Sequence, residues 1–240
     1  MNVSVIIPAY NEEEYLGACL TSLTKQTVAP YEIIVIDNNS HDATAAIAKS
    51  YKGVRVIREK RQGMIAARNR GFSSAKSEII ARCDADTILP ENWIAAIKEN
   101  FREHDMDALT GPIGFYDLTI QSPVLSSVYL KMSKPILHGN DVLLGPNMMI
   151  KKAMWRKIKD IVCLDDRLVH EDIDLSLHIT EVGGKILFDD SLVIQASGRR
   201  IRKNPLSFFG EYPLRFIKTL LAHRDQTLPF FARKTSSLPR

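Results

Sequence analysis

The chain has 240 residues, 45% of them hydrophobic and 25% charged, with a formal net charge of +4. That length suits one domain with a sizeable core, and that balance excludes wholesale disorder. Three cysteines, Cys19, Cys83 and Cys163, lie far apart with no CxxC pair, which points to a reducing compartment and away from a zinc site or a disulfide framework.

Met1 to Pro8 has neither a basic start nor a long apolar stretch, so no signal peptide is expected. Val3 to Pro8 reads as a buried strand ended by proline. Asn11 is placed to cap a helix, with Glu12, Glu13 and Glu14 in its first turn and Leu16, Leu20 and Leu23 at helical spacing. Glu32 to Ile36 is a second strand. Asp42 to Tyr51 is an alanine-rich helix with Ser40 as its cap, Val54 to Ile57 a third strand, and Met64 to Ala75 a helix begun after Gly63. Ile79 to Cys83 is a fourth strand that delivers Asp84-Ala85-Asp86. Strands alternating with helices imply parallel βαβ units, in which ligands gather beyond the carboxyl ends of the strands. Asp37, Asp84 and Asp86 all fall on that rim.

The second half is less regular. Glu91 to Arg102 predicts a helix, Ala108 to Tyr116 a strand broken by glycines, and Pro123 to Met132 another helix. Leu143 to Ile150 reads as a strand, and Glu171 to Val182 as a helix stopped by Gly183-Gly184. Lys185 to Phe188 and Leu192 to Gln195 are short strands, and Leu206 to Ala222 is an amphipathic helix interrupted at Pro213. No repeat, low-complexity linker or charge-free window of membrane-spanning length divides the chain. The organisation expected is a single domain over 1–200 and a basic, amphipathic C-terminal segment over 201–240. From Arg199 to Arg240 ten Lys/Arg stand against two acids, a net +8, which leaves −4 on the rest. Such a segment faces phosphates or an anionic membrane surface, with nucleic acid the weaker reading, or is simply a solvated basic face.

Six stretches carry candidate chemistry. Acids at i and i+2 of a strand end share one side, so Asp84 and Asp86 aim at one point and suit Mg²⁺ or Mn²⁺ together with substrate phosphates. Pro8-Ala9-Tyr10-Asn11-Glu12-Glu13 offers backbone N–H groups and Glu12 to a nucleotide, or merely starts a helix. It lacks the glycine pattern of a P-loop or a dinucleotide fingerprint, which disfavours NTPases and dehydrogenases. Asp37 can accept from a nucleobase or ribose, or belong to the turn through Asn38 and Ser40. Arg68 and Arg70 sit near a helix start, approaching a diphosphate or standing solvated on an exposed face. His170-Glu171-Asp172 opens a helix, where a carboxylate stays ionised and can act as a base, or only stabilises the helix; His170 is a metal ligand or a structural residue. Arg199 and Arg200, in Ser197 to Lys203, can hold phosphate or lie in a solvated loop.

Taken in order, these segments resemble the family-2 glycosyltransferases, which have the GT-A fold. The likeness runs through Ser4 to Glu13, Glu32 to Ser40, Ala67-Arg68-Asn69-Arg70-Gly71 and Asp84-Ala85-Asp86. It continues in Leu144-Gly145-Pro146-Asn147-Met148-Met149-Ile150, His170 to Leu177 and Gly183-Gly184-Lys185-Ile186, and it covers residues 3 to about 200. The resemblance implies an α/β, Rossmann-like, mixed but mostly parallel sheet flanked by helices in one domain, followed by a basic helical tail. It also implies inverting, metal-dependent transfer of a sugar from a UDP- or GDP-type donor to a hydroxyl or phosphate of a carbohydrate or lipid-linked acceptor, in envelope, polysaccharide or glycolipid synthesis. Pro8, Tyr10, Glu12, Asp37, Arg68 and Asp84 would contact the donor, and Asp86 with Asp84 would hold the metal. Asp172 would be the general base with Glu171 beside it, and Asn147, Arg199 and Arg200 would meet the acceptor or phosphate. Asn38 stands where a second Asp often occurs in the family. The expected location is cytoplasmic, peripheral at the inner face of the membrane, with no nucleic-acid partner. Two rivals have other activities: a haloacid-dehalogenase-type phosphatase, disfavoured by Ile88 where Thr or Val is expected, and a non-catalytic glycan- or membrane-binding module.

Overall fold

The computed structural model describes residues 1–118, 134, 141–203 and 205–223, with the backbone alone over 205–213. Four βα units open it: β1 (Val3–Ala9), α1 (Leu16–Thr24), β2 (Glu32–Asp37), α2 (Thr44–Ser50), β3 (Val54–Arg58), α3 (Met64–Ser74), β4 (Ile79–Arg82) and α4 (Trp93–Glu103). There follow β5 (Ala108–Thr110), β6 (Ile113–Phe115), β7 (Met148–Lys151), α5 (Lys152–Ile158) and α6 (Glu171–Glu181). The last elements are β8 (Ile186–Phe188), β9 (Ile194–Ala196), α7 (Arg199–Lys203) and α8 (Pro205–Ala222).

The seven-stranded sheet has the order β3-β2-β1-β4-β7-β5-β8. β1 to β4 are mutually parallel, β7 runs antiparallel to both β4 and β5, and β8 is parallel to β5. β6 and β9 form a separate parallel pair. Every residue of β1 is buried, as a strand covered on both faces must be. Its alternation sorts Val3, Val5 and Ile7 into one core with Leu16, Leu20 and Trp93, and Ile6 into the other with Phe72 and Trp155. Gly71 lets α3 approach β1, since a methyl there would lie 2.2 Å from Ile6 Cγ2. This is the mixed, mostly parallel sheet flanked by helices that the sequence suggested.

Several local expectations are corrected. Helix α1 begins at Leu16 rather than after an Asn11 cap, and Asn11 has φ of 54°. Residues 12–13 are claimed instead by the next loop: the Glu12 N–H donates to Thr44 Oγ1 (2.7 Å), the Glu13 N–H to Asp42 Oδ2 (3.1 Å), and Ala43 N–H to Glu13 Oε2 (2.9 Å). Ser40 does not cap α2; its hydroxyl accepts from Asn11, while Asp42 Oδ1 takes the Thr44 N–H at 3.0 Å. The strand expected over 108–116 splits into β5 and β6 at Gly111, where a Cβ would meet the Leu192 carbonyl at 2.3 Å. The strand expected from Leu143 is formed only from Met148, because Leu144 N–H is drawn to Thr110 Oγ1 (3.0 Å) and Gly145 into the site below. Helices α5 and α7 were not expected, and α8 runs through Pro213 without a break. The helix expected over Pro123 to Met132 lies outside the described residues.

Candidate active site

The rim begins where β1 and β2 end side by side, with Ala9 opposite Asp37. Pro8 is buried in β1 opposite Ile36, while Tyr10 is 46% exposed at the lip. Asp37 is buried, and its Oδ1 accepts the Ser40 N–H at 3.0 Å, so it shapes the turn while facing the rim. Asn38 carries the neighbouring loop: its amide donates to the Glu59 and Arg61 carbonyls (3.1 and 2.7 Å) and accepts from Gly63 N–H (2.8 Å). An aspartate has no donor for those two carbonyls, which gives this chain a structural reason for Asn at that position.

Asp84-Ala85-Asp86 lies in a turn after β4, with the Thr87 N–H donating to the Asp84 carbonyl at 3.1 Å, rather than on one face of a strand end. The two acids therefore take different partners. Asp84 Oδ1 accepts from Arg82 Nη2 at 2.8 Å, and Asp86 Oδ2 lies 3.2 Å from Arg199 Nε. The same guanidinium pairs with Glu12 and stacks 4.4 Å from the Tyr15 ring centroid. Arg199 is placed by the loop after β6: Asp117 accepts from Ser197 Oγ (2.8 Å) and Arg202 Nη2 (2.7 Å) around α7. Arg200 is exposed beside it.

Glu12, Asp84 and Asp86 form an acidic cluster in which Arg199 is shared between Glu12 and Asp86, and Arg82 between Asp84 and Glu171. Burial first and the Asp84 charge second push the Asp86 carboxyl up to about 7. Burial likewise raises Glu12, against the pull of Arg199, and its buried Oε2 has no hydrogen-bond partner. Desolvated, oxygen-only donors with an unsatisfied carboxylate oxygen fit a hard dication. The only tight group of three ligating side chains among the described residues lies elsewhere. The acidic rim thus resembles sites in which Mg²⁺ or Mn²⁺ takes one or two carboxylates and completes its shell with phosphates and water.

Behind the acids, Arg82 links the two halves of the site. It is 2% exposed and pairs with both Asp84 and Glu171. Burial opposes its charge, but Glu171 and Asp84 outweigh burial and hold its pKa above the ordinary arginine range. Arg68, wholly buried rather than solvated, donates from Nη1 to the Glu171 carbonyl (2.7 Å) and to Glu171 Oε2 (2.9 Å). Both oxygens of Glu171 are thereby taken by arginines. Arg70 is exposed.

Asp172 points the other way. Its Oδ2 accepts the Gly145 N–H at 3.1 Å, and its Oδ1 accepts from Ile173 N–H (2.9 Å) and is hydrogen-bonded to His170 Nδ1. Burial acts to raise its pKa, but the His170 charge and hydrogen bond and the Gly145 N–H prevail and lower it, so Asp172 stays ionised. Burial lowers the His170 imidazole, and Asp172 more than restores it to a raised pKa.

Asn147, expected at the acceptor or a phosphate, is a correction. It is fully buried, with Nδ2 on the Leu192 carbonyl (2.7 Å) and Oδ1 on Trp93 Nε1 (3.1 Å), so its amide is consumed inside the fold. Arg82 and Gly145 are the residues that sequence reasoning missed. The signal for Arg82 was an arginine inside the apolar run Ile79-Ile80-Ala81-Arg82-Cys83, which a buried strand admits only with a partner.

A family model described as "Glycosyl transferase family 2" matches residues 4–165. Glycosyltransferase GlyG of Streptococcus pneumoniae is 36% identical over 120 residues, covering 48% of this chain and 40% of that protein. The chain therefore spans less than half the length of this curated relative. A crystal structure of S. aureus TarS in complex with UDP-GlcNAc superposes with a TM-score of 0.69 at 22% identity, over 100% of this chain and 74% of that one. Glucosyl-3-phosphoglycerate synthase from Mycobacterium tuberculosis, in complex with Mn²⁺, UDP and glucosyl-3-phosphoglycerate, gives 0.68 at 17% identity over 92% and 79%. At these identities both show the GT-A fold.

Proposed function

The chain belongs to glycosyl transferase family 2, and from that premise we propose that it transfers a sugar from a UDP- or GDP-type nucleotide-sugar to an acceptor hydroxyl, with inversion at the anomeric carbon. The observation that carries this reading is the Arg82 bridge, which fastens Asp84 on the acidic rim to Glu171 next to Asp172. A donor-binding edge and a buried, ionised base are thus fixed to one rigid frame. The solved relatives named above are complexed with UDP-GlcNAc in one case and with UDP and Mn²⁺ in the other.

Asp37 and the lip at Tyr10 receive the nucleoside, with Pro8 and Glu12 behind them, and Arg199 and Arg200 meet the diphosphate. Asp86, with Asp84 and the partnerless Oε2 of Glu12 near it, would hold Mg²⁺ or Mn²⁺. Once bound, such an ion supplies neutralisation of the charge that grows on the leaving diphosphate. Asp172 takes the proton from the acceptor hydroxyl while the Gly145 N–H and His170 keep its carboxylate aimed. Glu171 and Arg68 act as positioning residues, since their polar atoms face one another. The Asp84–Arg82 pair also disfavours the phosphatase reading, in which the first Asp must be an open nucleophile.

Thermal shift with UDP-, GDP- and dTDP-sugars, with and without Mn²⁺, tests the donor side. One base series should stabilise the protein, in a Mn²⁺-dependent way that Asp86→Asn removes; no shift with any nucleotide-sugar would sink the proposal.

The C-terminal helix supports a peripheral location. Among the described residues no helix is long and apolar enough to cross a membrane. On α8, however, Leu214, Ile217 and Leu221 are each more than half exposed on one helical face, with Arg215 and Lys218 also exposed. An apolar stripe flanked by cations suits the interface of an anionic bilayer. Sedimentation with anionic vesicles at low salt should carry the wild type down and leave Ile217→Glu in solution; equal behaviour of the two would refute the docking.

A further inference from the structure

Away from the rim, Asp174, His178 and His223 bring one carboxylate oxygen and two imidazole nitrogens within 4.8 Å of one another. Asp174 and His178 are one turn apart on α6, and His223 directly follows α8, so the group ties the helix that carries Asp172 to the C-terminal helix. Asp174 is fully buried, and the two histidine side chains are each 10% exposed. His223 Nε2 lies 2.9 Å and His178 Nε2 3.5 Å from the same Asp174 Oδ1, and the two rings meet edge to face with centroids 4.8 Å apart.

The hydrogen bond on the far side of His178 decides what this cluster suits. Its Nδ1 is 2.9 Å from Glu181 Oε2, a carboxylate that can only accept, so Nδ1 carries the proton. The neutral tautomer then directs the Nε2 lone pair at Asp174 Oδ1. Across the 3.5 Å to Asp174 Oδ1 the ring can offer a second proton or, as this neutral tautomer, a lone pair for a bound cation. Imidazole and carboxylate ligands on a tetrahedral Zn²⁺, at bonds of about 2.0–2.2 Å, sit roughly 3.3 Å apart, between the 2.9 and 3.5 Å of the two histidine contacts with Asp174 Oδ1. A carboxylate behind a ligating histidine is also the usual outer partner of such sites, fixing the tautomer and strengthening the ligand. Asp174 Oδ2 is steadied in turn by the Cys163 N–H at 3.1 Å.

We propose that Asp174 Oδ1, His178 Nε2 and His223 Nε2 form a second metal site, distinct from the acidic rim, for Zn²⁺ or a similar transition dication. Its ligands are imidazole and carboxylate, so the scattered cysteines that spoke against zinc have no part in it. Two helices share the ion, which clamps α8 onto α6 next to the bond from His170 N–H to Thr219 Oγ1 (2.6 Å). The clamp holds the basic C-terminal helix in place without touching donor or acceptor. Water completes the shell.

The test is metal content and spectroscopy on the full chain. After incubation with Zn²⁺ and desalting into excess Mg²⁺, the wild type and Asp86→Asn should each retain one equivalent of zinc, and His223→Gln and His178→Gln should retain none. Co²⁺ in place of Zn²⁺ should give the strong visible bands of a tetrahedral site in the wild type, a readout that needs no variant to fold. Zinc retained equally by the histidine variants, loss of zinc in Asp86→Asn, or only weak octahedral cobalt bands would overturn the assignment.

Discussion

The two halves of the rim are built by different means. On the donor side, the loops at Asn38, Glu12 and Glu13 bond backbone groups some 20 to 30 residues away and Asp37 caps its own turn at Ser40, with the Glu12 carboxylate reaching a distant partner, Arg199. On the base side, Glu171 is fixed by contacts from much farther along the chain, Arg68 from 103 residues away and Arg82 from 89, while its neighbour Asp172 is held by Gly145, 27 residues back, and by His170. The first construction can form as each βα unit forms. The second exists only once β4, β7 and α6 have assembled, so the base side depends on buried charge and the donor side on hydrogen-bonded turns.

That contrast can be broken or sharpened by mutation, beginning with the largest effect. Arg82→Met leaves Asp84 and one oxygen of Glu171 without their cation, and stability should fall by about 3–5 kcal/mol. As a control, Arg55→Met removes a partly exposed pair with Glu32 at the opposite edge of the sheet from the rim and should cost under ~1 kcal/mol. Urea unfolding of the two variants measures the difference, and comparable losses would erase the distinction. Asn38→Asp comes next: it strands the Glu59 and Arg61 carbonyls, at a cost on the order of 3 kcal/mol, the upper end for unsatisfied polar groups. Loss of donor binding should accompany it, because the loop that it anchors runs beside Asp37.

The smallest effect is a pH window. The raised pKa of His170 adds stability that is complete below its unfolded value, about 6.5, and is lost as pH rises through the folded value. The lowered pKa of Asp172 adds stability present above about 3.9 and lost as pH falls through its folded value. The stability difference between the wild type and His170→Gln should therefore be largest between about pH 4 and 6.5 and shrink on either side. Denaturant titrations across that range check it, and a pH-independent difference would show that the two groups do not interact.

The donor half was legible in the sequence for a physical reason. Period-2 and period-3.6 patterns mark β1 to β4 with their helices, and a strand end fixes where the next acid falls, as Asp37 and Asp84 show. Local loop chemistry was less so: Asn11 and Ser40 have cap-forming side chains, yet each bonds the neighbouring loop instead. The base half could be read only in part. Asp172 was visible as an acid at a helix start, but its orientation depends on Gly145; Arg82 declares itself only as a charge inside an apolar run, and Arg68, beside Asn69 and Arg70, gives no sign that Glu171 is its partner. Asn147 misled because a polar residue in a likeness motif says nothing about whether it faces a ligand or, as here, Trp93 and Leu192.

The central claim is that Asp172 is the base of a glycosyl transfer whose donor is held separately on the acidic rim. Turnover of Asp172→Asn, measured with the nucleotide-sugar that the wild type prefers, tests it most directly. Turnover should fall by ~10²–10⁴-fold while donor affinity by calorimetry stays at the wild-type value. Near wild-type turnover in that variant would contradict the account.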